Sequence, residues 1–343
     1  MMSRILAACT LLIATAVHAE DYLDIVSSYH HDLPVYGEQS TKFVESFNEI
    51  SPNLKFRHHD PGKLVPASQA LEAVASGQVD AAFSVSGYWW DRMPAAILFA
   101  SFPFDFDPSG RLAWLLEGNG SALYQEMYAR AGYDVTVLPC GLNPGETSGW
   151  FREEVTSVED LAGLKIRMFG LGGQVMEKLG VETRPMLADE LSYAIKTGEL
   201  DGAEFGTIAA DVFLGLHETA NFAYFPSWHQ PTGTTELLVN RAVWDGLAGS
   251  ERRAMEIVCM ANITANLANG AVANARAYNE VKKEGRVEFR TWPPDVLIAI
   301  RGAWDELVEE KAARDPFFAT VWEDIKAFNS ERKGWLAVST SQN

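Results

Sequence analysis

The sequence predicts an α/β protein built from two lobes. Short apolar runs alternate with amphipathic helical stretches from Tyr22 onward, a pattern typical of βαβ units around a parallel sheet. The turn-rich strings GLNPGETSG (141–149) and HQPTG (229–233) interrupt this alternation, and we expect the chain to cross between two units there. A helical pattern from Ser250 to about Glu284 exceeds the diameter of one ordinary domain, so it should run across both units.

The first nineteen residues, MMSRILAACTLLIATAVHA, have the features of a secretory signal peptide. A basic Arg4 precedes an apolar run, and the small residues Val17 and Ala19 stand at the positions that a signal peptidase recognises before its cleavage site. We therefore expect residues 1–19 to be a signal peptide cleaved near Ala19, and the mature protein to be periplasmic. Cys140 and Cys259 remain after processing, and the sequence leaves open whether they pair.

The first lobe is predicted from residues 20–143 plus 232–262. Its expected strands are LDIVSS, LKFRHH, DAAFSVS, VTVLPC and TTELLVN, with helices near 39–50, 67–76 and 111–131. The aromatic, proline-containing segment GYWWDRMPAAILFASFPFDF shows neither the helical nor the strand pattern of apolar residues, and we expect it to be an irregular connection.

The second lobe is predicted from residues 144–231 plus 263–292. Its expected strands are WFREEV, LKIRM, ETRPM, DGAEF, NFAYFPSW and VEFRTW, separated by helical stretches. Residues 293–343 form a predicted C-terminal helical region that begins at Pro293 and Pro294. Val296, Ile300, Trp304 and Leu307 make an apolar face there, which suits either a homodimer or packing on the chain's own lobe.

Charge and motifs exclude several function classes. The formal net charge is −18 and no basic cluster is present, which argues against nucleic acid and anionic lipid as partners. GxSxG, HExxH and the P-loop are absent, and Val175 stands where a dinucleotide fingerprint requires glycine. The sequence therefore indicates a binding protein rather than an enzyme.

Arg167 and Glu204 each end an apolar run, and we expect both at the carboxyl edge of one parallel sheet, where ligands bind. The guanidinium of Arg167 needs an anionic partner, either a ligand carboxylate or a local acid. Glu204 needs a cation if it is buried, and is otherwise a surface acid. The aromatic groups at Tyr88, Trp89 and Trp228 either fill the core or line a cleft.

Three strings carry a family resemblance: GLKIRMFGLGGQVMEKLGVETRPMLADELSYAIKTGELDGAEF, ALEAVASGQVDAAFSVSGYWW and FAYFPSWHQPTGTTELLVN. They resemble the periplasmic substrate-binding proteins of TRAP transporters, most closely the branch that binds α-keto acids and lactate. The resemblance covers essentially the whole mature chain. It implies a type II-like periplasmic binding fold of two lobes, with a long spine helix and a C-terminal helical region, closing on a carboxylate.

The resemblance also implies roles for individual residues. In the resembled family, the arginine at the position of Arg167 holds the substrate carboxylate bidentately. The metal ion that bridges substrate and protein would here be held by the carboxylate of Glu204 and the backbone carbonyl of Phe205. Glu146 stands where that branch usually has a glutamine ligand, and Phe169 where the wider family commonly has proline. The remaining candidate substrate-binding residues are Tyr88, Trp89, Asn143, Phe205, Trp228 and His229.

Formal charge favours Ca²⁺ over Na⁺ in such a site. With Glu146, Glu204, Arg167 and one substrate carboxylate, a divalent cation restores neutrality, and oxygen ligands suit calcium. Two alternatives remain open: a monovalent ion with one carboxyl protonated, or no metal and a substrate that carries a cationic group.

The predicted function is capture of a small 2-oxo or 2-hydroxy monocarboxylate and delivery to the membrane subunits of a TRAP permease. The alternatives are an exported metal-dependent hydrolase that uses the two glutamates, and a sensor accessory protein with the same cleft. The sequence offers no evident histidine base near the glutamate pair, which counts against the hydrolase. The resemblance leaves open a homodimer formed through the C-terminal helices.

Overall fold

The computed structural model describes residues 21–186 and 188–339. The predicted signal peptide and its cleavage site lie outside these residues. Among the helices described, none is long and apolar enough to cross a membrane.

Eleven strands in the described residues form two separate sheets. The first sheet has the order β2-β1-β3-β10-β4, and the second sheet has the order β11-β9-β5-β8-β6-β7. The strands are β1 (Asp21–Ser27), β2 (Leu54–His59), β3 (Ala81–Ser84), β4 (Val135–Asn143), β5 (Trp150–Phe151), β6 (Lys165–Arg167), β7 (Glu182–Thr183), β8 (Gly202–Ala203), β9 (Phe222–Phe225), β10 (Gly233–Asn240) and β11 (Glu288–Thr291).

In the first sheet, β1 pairs in parallel with β2 and β3, while β10 runs antiparallel between β3 and β4. Its central strands are apolar because both of their faces are covered. On one face the rings of Phe43, Phe47, Phe56 and Phe83 pack together and are fully or almost fully buried.

In the second sheet, β6 lies parallel between β7 and β8, and β5 runs antiparallel to β8 and β9. Arg167 at the end of β6 pairs in register with Ala203 at the end of β8. Since Glu204 directly follows Ala203, this register brings Arg167 and Glu204 to one edge, as the alternation of elements predicted.

Twelve α-helices flank the sheets in the described residues. They are α1 (Gly37–Ile50), α2 (Ala70–Ala75), α3 (Ala96–Ala100), α4 (Pro108–Leu116), α5 (Gly120–Arg130), α6 (Gly170–Lys178), α7 (Leu191–Thr197), α8 (Ile208–Phe213), α9 (Arg241–Gly246), α10 (Gly249–Glu284), α11 (Pro294–Arg314) and α12 (Pro316–Ser339). The prediction of a single helix over 111–131 is wrong, because the chain turns near Gly118 and forms two helices, α4 and α5. The connection expected to be irregular contains the short helix α3.

The helix α10 packs against both sheets. Its 36 residues extend about 54 Å at 1.5 Å per residue. Near its start, Asn262 and Asn266 donate hydrogen bonds to the carbonyls of Cys140 and Leu142 on β4. Further along, Ala277 and other apolar residues pack with the second sheet. This agrees with the predicted spine helix.

A disulfide joins Cys140 of β4 to Cys259 of α10. The sequence had left this pairing open. In the chain-entropy description, a cross-link over 119 residues stabilises the folded state by roughly 4–5 kcal/mol. The bond therefore fixes the spine helix to the first sheet.

The predicted C-terminal helical region consists of two helices, α11 and α12, with a break at Asp315 between them. Its predicted apolar face is buried within the same chain. The ring of Trp304 packs near Phe102 and Trp322, and Lys178 on α6 forms an ion pair with Glu310 on α11. This face is therefore used for packing on the chain itself.

Candidate functional site

A small cavity of about 60 Å³ lies where the carboxyl edges of the two sheets meet. The first sheet contributes residues that follow β1, β3 and β4, and the second sheet contributes residues that follow β6 and β8. The chain crossings supply Glu146 and Gln230. The lining residues are Tyr29, Tyr36, Val85, Tyr88, Ala100, Asn143, Glu146, Arg167, Phe169, Phe205, Gln230, Gly233 and Thr234.

Arg167 and Glu204 form an ion pair at one end of this cavity. Arg167 Nη1 lies 3.3 Å from Glu204 Oε2 and also donates a hydrogen bond to the backbone carbonyl of Glu204. The side chain of Arg167 remains 15% exposed, while that of Glu204 is 1% exposed. The guanidinium therefore has a local acid as a partner and still faces the cavity, so the two roles considered for it are compatible.

Glu146 also lines this cavity. It lies on the first chain crossing and is almost fully buried. Tyr36 donates a hydrogen bond of 2.7 Å to its Oε1, and Gln230 Nε2 donates one of 2.5 Å to its Oε2. The same Gln230 nitrogen lies 3.5 Å from Glu204 Oε1. One amide thus reaches both carboxyl groups.

The two carboxyl groups differ in proton affinity. Burial, followed by the charge of Glu204, raises the pKa of Glu146 well above its usual range. Burial also acts to raise the pKa of Glu204, but His229 and Arg167 outweigh it, and the pKa of Glu204 falls below its ordinary value. Without a cation between them, negative charge is therefore favoured on Glu204, and Glu146 takes up a proton more readily than Glu204.

His229 lies beside this pair, so the expectation of no histidine near the two glutamates is wrong. Its Nε2 is 3.5 Å from Glu204 Oε1 and 3.7 Å from Glu146 Oε2, and it makes no closer hydrogen bond. Its Nδ1 is 3.2 Å from Ser227 Oγ. His229 was a candidate for substrate binding, but the sequence could not show that it lies next to the two glutamates, because the two crossings meet only in the folded chain.

The donor set fits a metal ion. Glu146, Glu204 and His229 each offer a ligand atom, and these atoms lie within 4.8 Å of one another. All three side chains are buried, and His229 Nε2 is a buried polar atom without a hydrogen-bond partner. The carboxyl groups of Glu146 and Glu204 offer oxygen ligands of the kind that Ca²⁺ binds.

Asp211 of α8 holds the two glutamate-bearing segments together from behind. Thr147 Oγ1 and Trp150 Nε1 each donate a 2.7 Å hydrogen bond to its Oδ2, and the backbone N–H of Gly206 donates a 3.0 Å bond to its Oδ1. Burial raises the pKa of Asp211 to about 7, against these donors, which lower it. It therefore links the segment after Glu146 to the segment after Glu204.

Three tyrosines cover the cavity from the first-sheet side. Tyr29 and Tyr36 have ring centroids 5.2 Å apart, and Tyr29 and Tyr88 have centroids 6.3 Å apart. Tyr88 was a candidate, whereas Tyr29, Tyr36 and Gln230 were missed. Tyr29 and Tyr36 stand in the loop sequence YHHDLPVYG, where no local pattern marks either tyrosine as a ligand-binding residue.

Of the other candidates, Asn143 and Phe205 line the cavity, but Trp89 and Trp228 do not. Asn143 Oδ1 accepts hydrogen bonds from Gln39 and Asn266, which leaves its amide nitrogen toward Gly233 in the cavity wall. Trp89 instead donates a 3.3 Å hydrogen bond to the buried Glu236. Trp228 packs against Phe104 and His229, one layer behind the cavity.

Phe169 supports Glu204 through its backbone. The N–H of Phe169 donates a 3.1 Å hydrogen bond to Glu204 Oε2. A proline, which the resembled family commonly has here, carries no N–H and could not make this bond. The departure at this position thus adds a donor to the charged end of the cavity.

Two α/β units that enclose a buried cavity with an arginine and paired carboxyl groups have the architecture of a solute-binding protein. The chain belongs to the bacterial extracellular solute-binding proteins, family 7, whose model matches residues 26–315. This confirms the family resemblance seen in the sequence.

One similar protein is the monocarboxylate 2-oxoacid-binding periplasmic protein of Nostoc sp., which is 34% identical over 281 residues, 81% of this chain and 76% of that protein. A TRAP periplasmic solute-binding protein from Colwellia psychrerythraea, solved with bound calcium and pyruvate, has a TM-score of 0.88 at 27% identity, with 93% of this chain and 97% of that chain covered. A second, from Pseudoalteromonas atlantica with bound sodium and pyruvate, has a TM-score of 0.87 at 27% identity and the same coverage. These structures confirm the predicted fold class.

Proposed function

We propose that this protein captures a small 2-oxo or 2-hydroxy monocarboxylate in the cavity between its two sheets, through a bridging cation. The observation that carries the proposal is the pair of buried carboxyl groups of Glu146 and Glu204 beside Arg167, whose side chain is 15% exposed and faces the cavity. Arg167 binds the carboxylate of the acid, and Asn143 and Tyr88 contact its other atoms. Glu204, the carbonyl of Phe205 and Glu146 hold the cation, with Gln230 able to turn its amide oxygen toward it.

Charge supports calcium over sodium. The two glutamates, Arg167 and one bound carboxylate sum to −2, which Ca²⁺ neutralises. Na⁺ reaches neutrality only if one carboxyl keeps a proton, and the raised pKa of Glu146 identifies that carboxyl. The relatives solved with calcium or sodium and pyruvate give precedent for both ions.

The organisation of the chain suits delivery to a TRAP permease. We assign residues 20–143 plus 232–262 to one lobe, 144–231 plus 263–292 to the other, and 293–343 to the C-terminal helical region. The two lobes close on the acid, and the signal peptide directs export and is cleaved near Ala19. The end of α12, where Trp335 and Val338 are exposed, is available for a homodimer.

Metal analysis of protein purified without chelator tests the proposal. Mass spectrometry under native conditions should find one calcium per chain, and Glu146→Gln should shift the preference toward sodium because it removes one negative charge. Protein that binds pyruvate with neither ion present would contradict the bridged site. Glu177→Gln, an exposed acid away from the cluster, is the matched control.

His229 favours one second candidate, an exported metal-dependent hydrolase. Histidine nitrogen and glutamate oxygen are both ligand types of zinc, and His229 Nε2 lies 3.5 Å from Glu204 Oε1 without a hydrogen-bond partner. A turnover assay with 2-oxo and 2-hydroxy acid esters, with zinc added, separates the two candidates. Recovery of unchanged ligand supports the binding protein, and product formation that His229→Ala abolishes supports the hydrolase.

A further inference from the structure

We propose that Phe169 and Tyr88 limit the length of the acid that this protein binds. Acids with three or four carbon atoms should bind much more tightly than those with branched or aromatic tails. The inference rests on the proposed function and names the substrate class of the same site.

Two compartments meet at these residues. The inner cavity of about 60 Å³ lies next to an outer cleft of about 1070 Å³. Five residues line both compartments, which makes the wall between them one side chain thick. They are Tyr29, Tyr88, Arg167, Phe169 and Phe205.

The apolar part of this wall is the pair Phe169–Tyr88. Their rings meet edge to face, with centroids 5.9 Å apart and planes inclined by 75°. Tyr88 follows a strand of the first sheet and Phe169 a strand of the second, so the contact spans the cleft. The ring of Phe169 also lies close to Gly87, because a Cβ added to Gly87 would be in van der Waals contact with Phe169 Cε1 at 3.5 Å.

The inner cavity has room for only a short acid. One water needs about 10–15 Å³ of such volume, so 60 Å³ holds about four to six water-sized groups. Arg167 and Glu146 take the charged end of a ligand, and Val85 and Ala100 line the remaining apolar wall. A methyl or ethyl group fits against Val85 and Ala100, whereas a benzyl group must displace the wall.

The outer cleft offers apolar surface to a longer tail once the wall is opened. Trp90 is 39% exposed and Phe213 is 54% exposed, and both line that cleft. Truncation of Phe169 joins the two compartments. Its backbone N–H is unchanged by truncation, so Glu204 keeps that hydrogen bond.

Calorimetry with pyruvate, 2-oxobutyrate, 4-methyl-2-oxopentanoate and phenylpyruvate tests the inference on the full mature chain with calcium present. The unaltered protein should bind pyruvate at least about 100-fold more tightly than phenylpyruvate, the result of overfilling a closed cavity. Phe169→Ala should reduce this ratio to within about tenfold, and Phe169→Leu should give an intermediate value. Phe213→Ala, the same truncation in the outer cleft, should leave the ratio unchanged.

Tight binding of phenylpyruvate by the unaltered protein would overturn this inference and leave the proposed function intact. An equal loss of affinity for all four acids in Phe169→Ala would also overturn it. Binding of none of the four by the unaltered protein would overturn the proposed function itself.

Discussion

The hydroxyl of Tyr36 donates a 2.7 Å hydrogen bond to Oε1 of Glu146, and so joins the start of α1 to the first chain crossing. The same hydroxyl accepts a 3.2 Å hydrogen bond from the backbone N–H of Thr207. Tyr36 therefore contacts the segments that carry both glutamates.

Removal of this hydroxyl should weaken ligand binding. Tyr36→Phe deprives Glu146 of a buried donor, and a lost hydrogen bond to a carboxyl group costs about 1.5–3 kcal/mol, or roughly ten- to a hundredfold in affinity. Titration calorimetry with pyruvate and calcium measures it. Tyr224→Phe, which removes a buried hydroxyl bonded to the backbone at Val155, is the control and should retain affinity. Equal losses in both variants would refute a specific role for Tyr36.

Arg167→Lys should separate the charge of the arginine from its shape. Lysine keeps a cation beside Glu204 but lacks the planar fork that binds a carboxylate with two hydrogen bonds. We expect at least a tenfold loss of pyruvate affinity and a melting temperature close to that of the unaltered protein. Arg167→Ala, which leaves Glu204 buried without its partner, should lose both affinity and stability. Full affinity in the lysine variant would show that Arg167 is only a structural ion-pair partner.

Asp211→Asn should lower calcium affinity although Asp211 is not one of the cluster residues. Asp211 accepts from Gly206 N–H at one carboxylate oxygen and from two side-chain donors at the other, whereas asparagine has only one side-chain oxygen. Some of these donors therefore lose their partner, and the segments carrying Glu146 and Glu204 lose their alignment. Changes behind metal ligands typically cost about 10–100-fold in metal affinity.

Glu236→Gln is the matched control for Asp211→Asn. Glu236 is also a buried carboxyl group held by aromatic donors, namely Tyr124, Tyr128 and Trp89, but it lies within the first-sheet core. It should leave calcium affinity unchanged. If both variants lower calcium affinity equally, the effect of Asp211→Asn reflects general destabilisation.

The stability of the ligand-free protein should fall as pH rises from about 4.5 to about 7. Burial raises the pKa of Glu236 to about 7, above its ordinary value near 4.5. In that interval the folded state binds more protons than the unfolded state, so a rise in pH favours unfolding. Asp211 contributes in the same direction.

Urea denaturation at about pH 5 and about pH 8 measures how much the free energy of unfolding falls between these pH values. Glu236 should contribute at most about 3 kcal/mol to this fall. Glu236→Gln should reduce the slope, and the share due to Asp211 should remain. A slope unchanged in Glu236→Gln would show that Glu236 does not take up its proton in this interval.

The sequence predicted the alternation of strands and helices because local period and turn residues determine it. It also placed Arg167 and Glu204 on one edge, since the register of β6 and β8 follows from parallel pairing. Gln230 and Tyr36 could not be assigned in the same way, and His229 was named only as a substrate-binding candidate, not as a neighbour of the glutamates. They reach the glutamates through the crossings and the end of a loop, whose path depends on tertiary packing rather than on a local pattern.

Trp89 and Trp228 illustrate the opposite error. Their position next to polar loop residues suggested a cleft lining, but the large rings are placed one layer behind the cavity, where they bury more apolar surface. The break at Gly118 between α4 and α5 was missed for a similar reason, because the helical period continues on both sides of it.

Pyruvate calorimetry before and after chelation tests most directly whether a calcium ion joins the organic acid to Glu146 and Glu204. The account predicts strong binding by the purified protein, loss of at least about 100-fold in affinity after EDTA treatment and dialysis, and recovery on addition of calcium. Pyruvate binding of equal strength in the chelated protein would contradict the account.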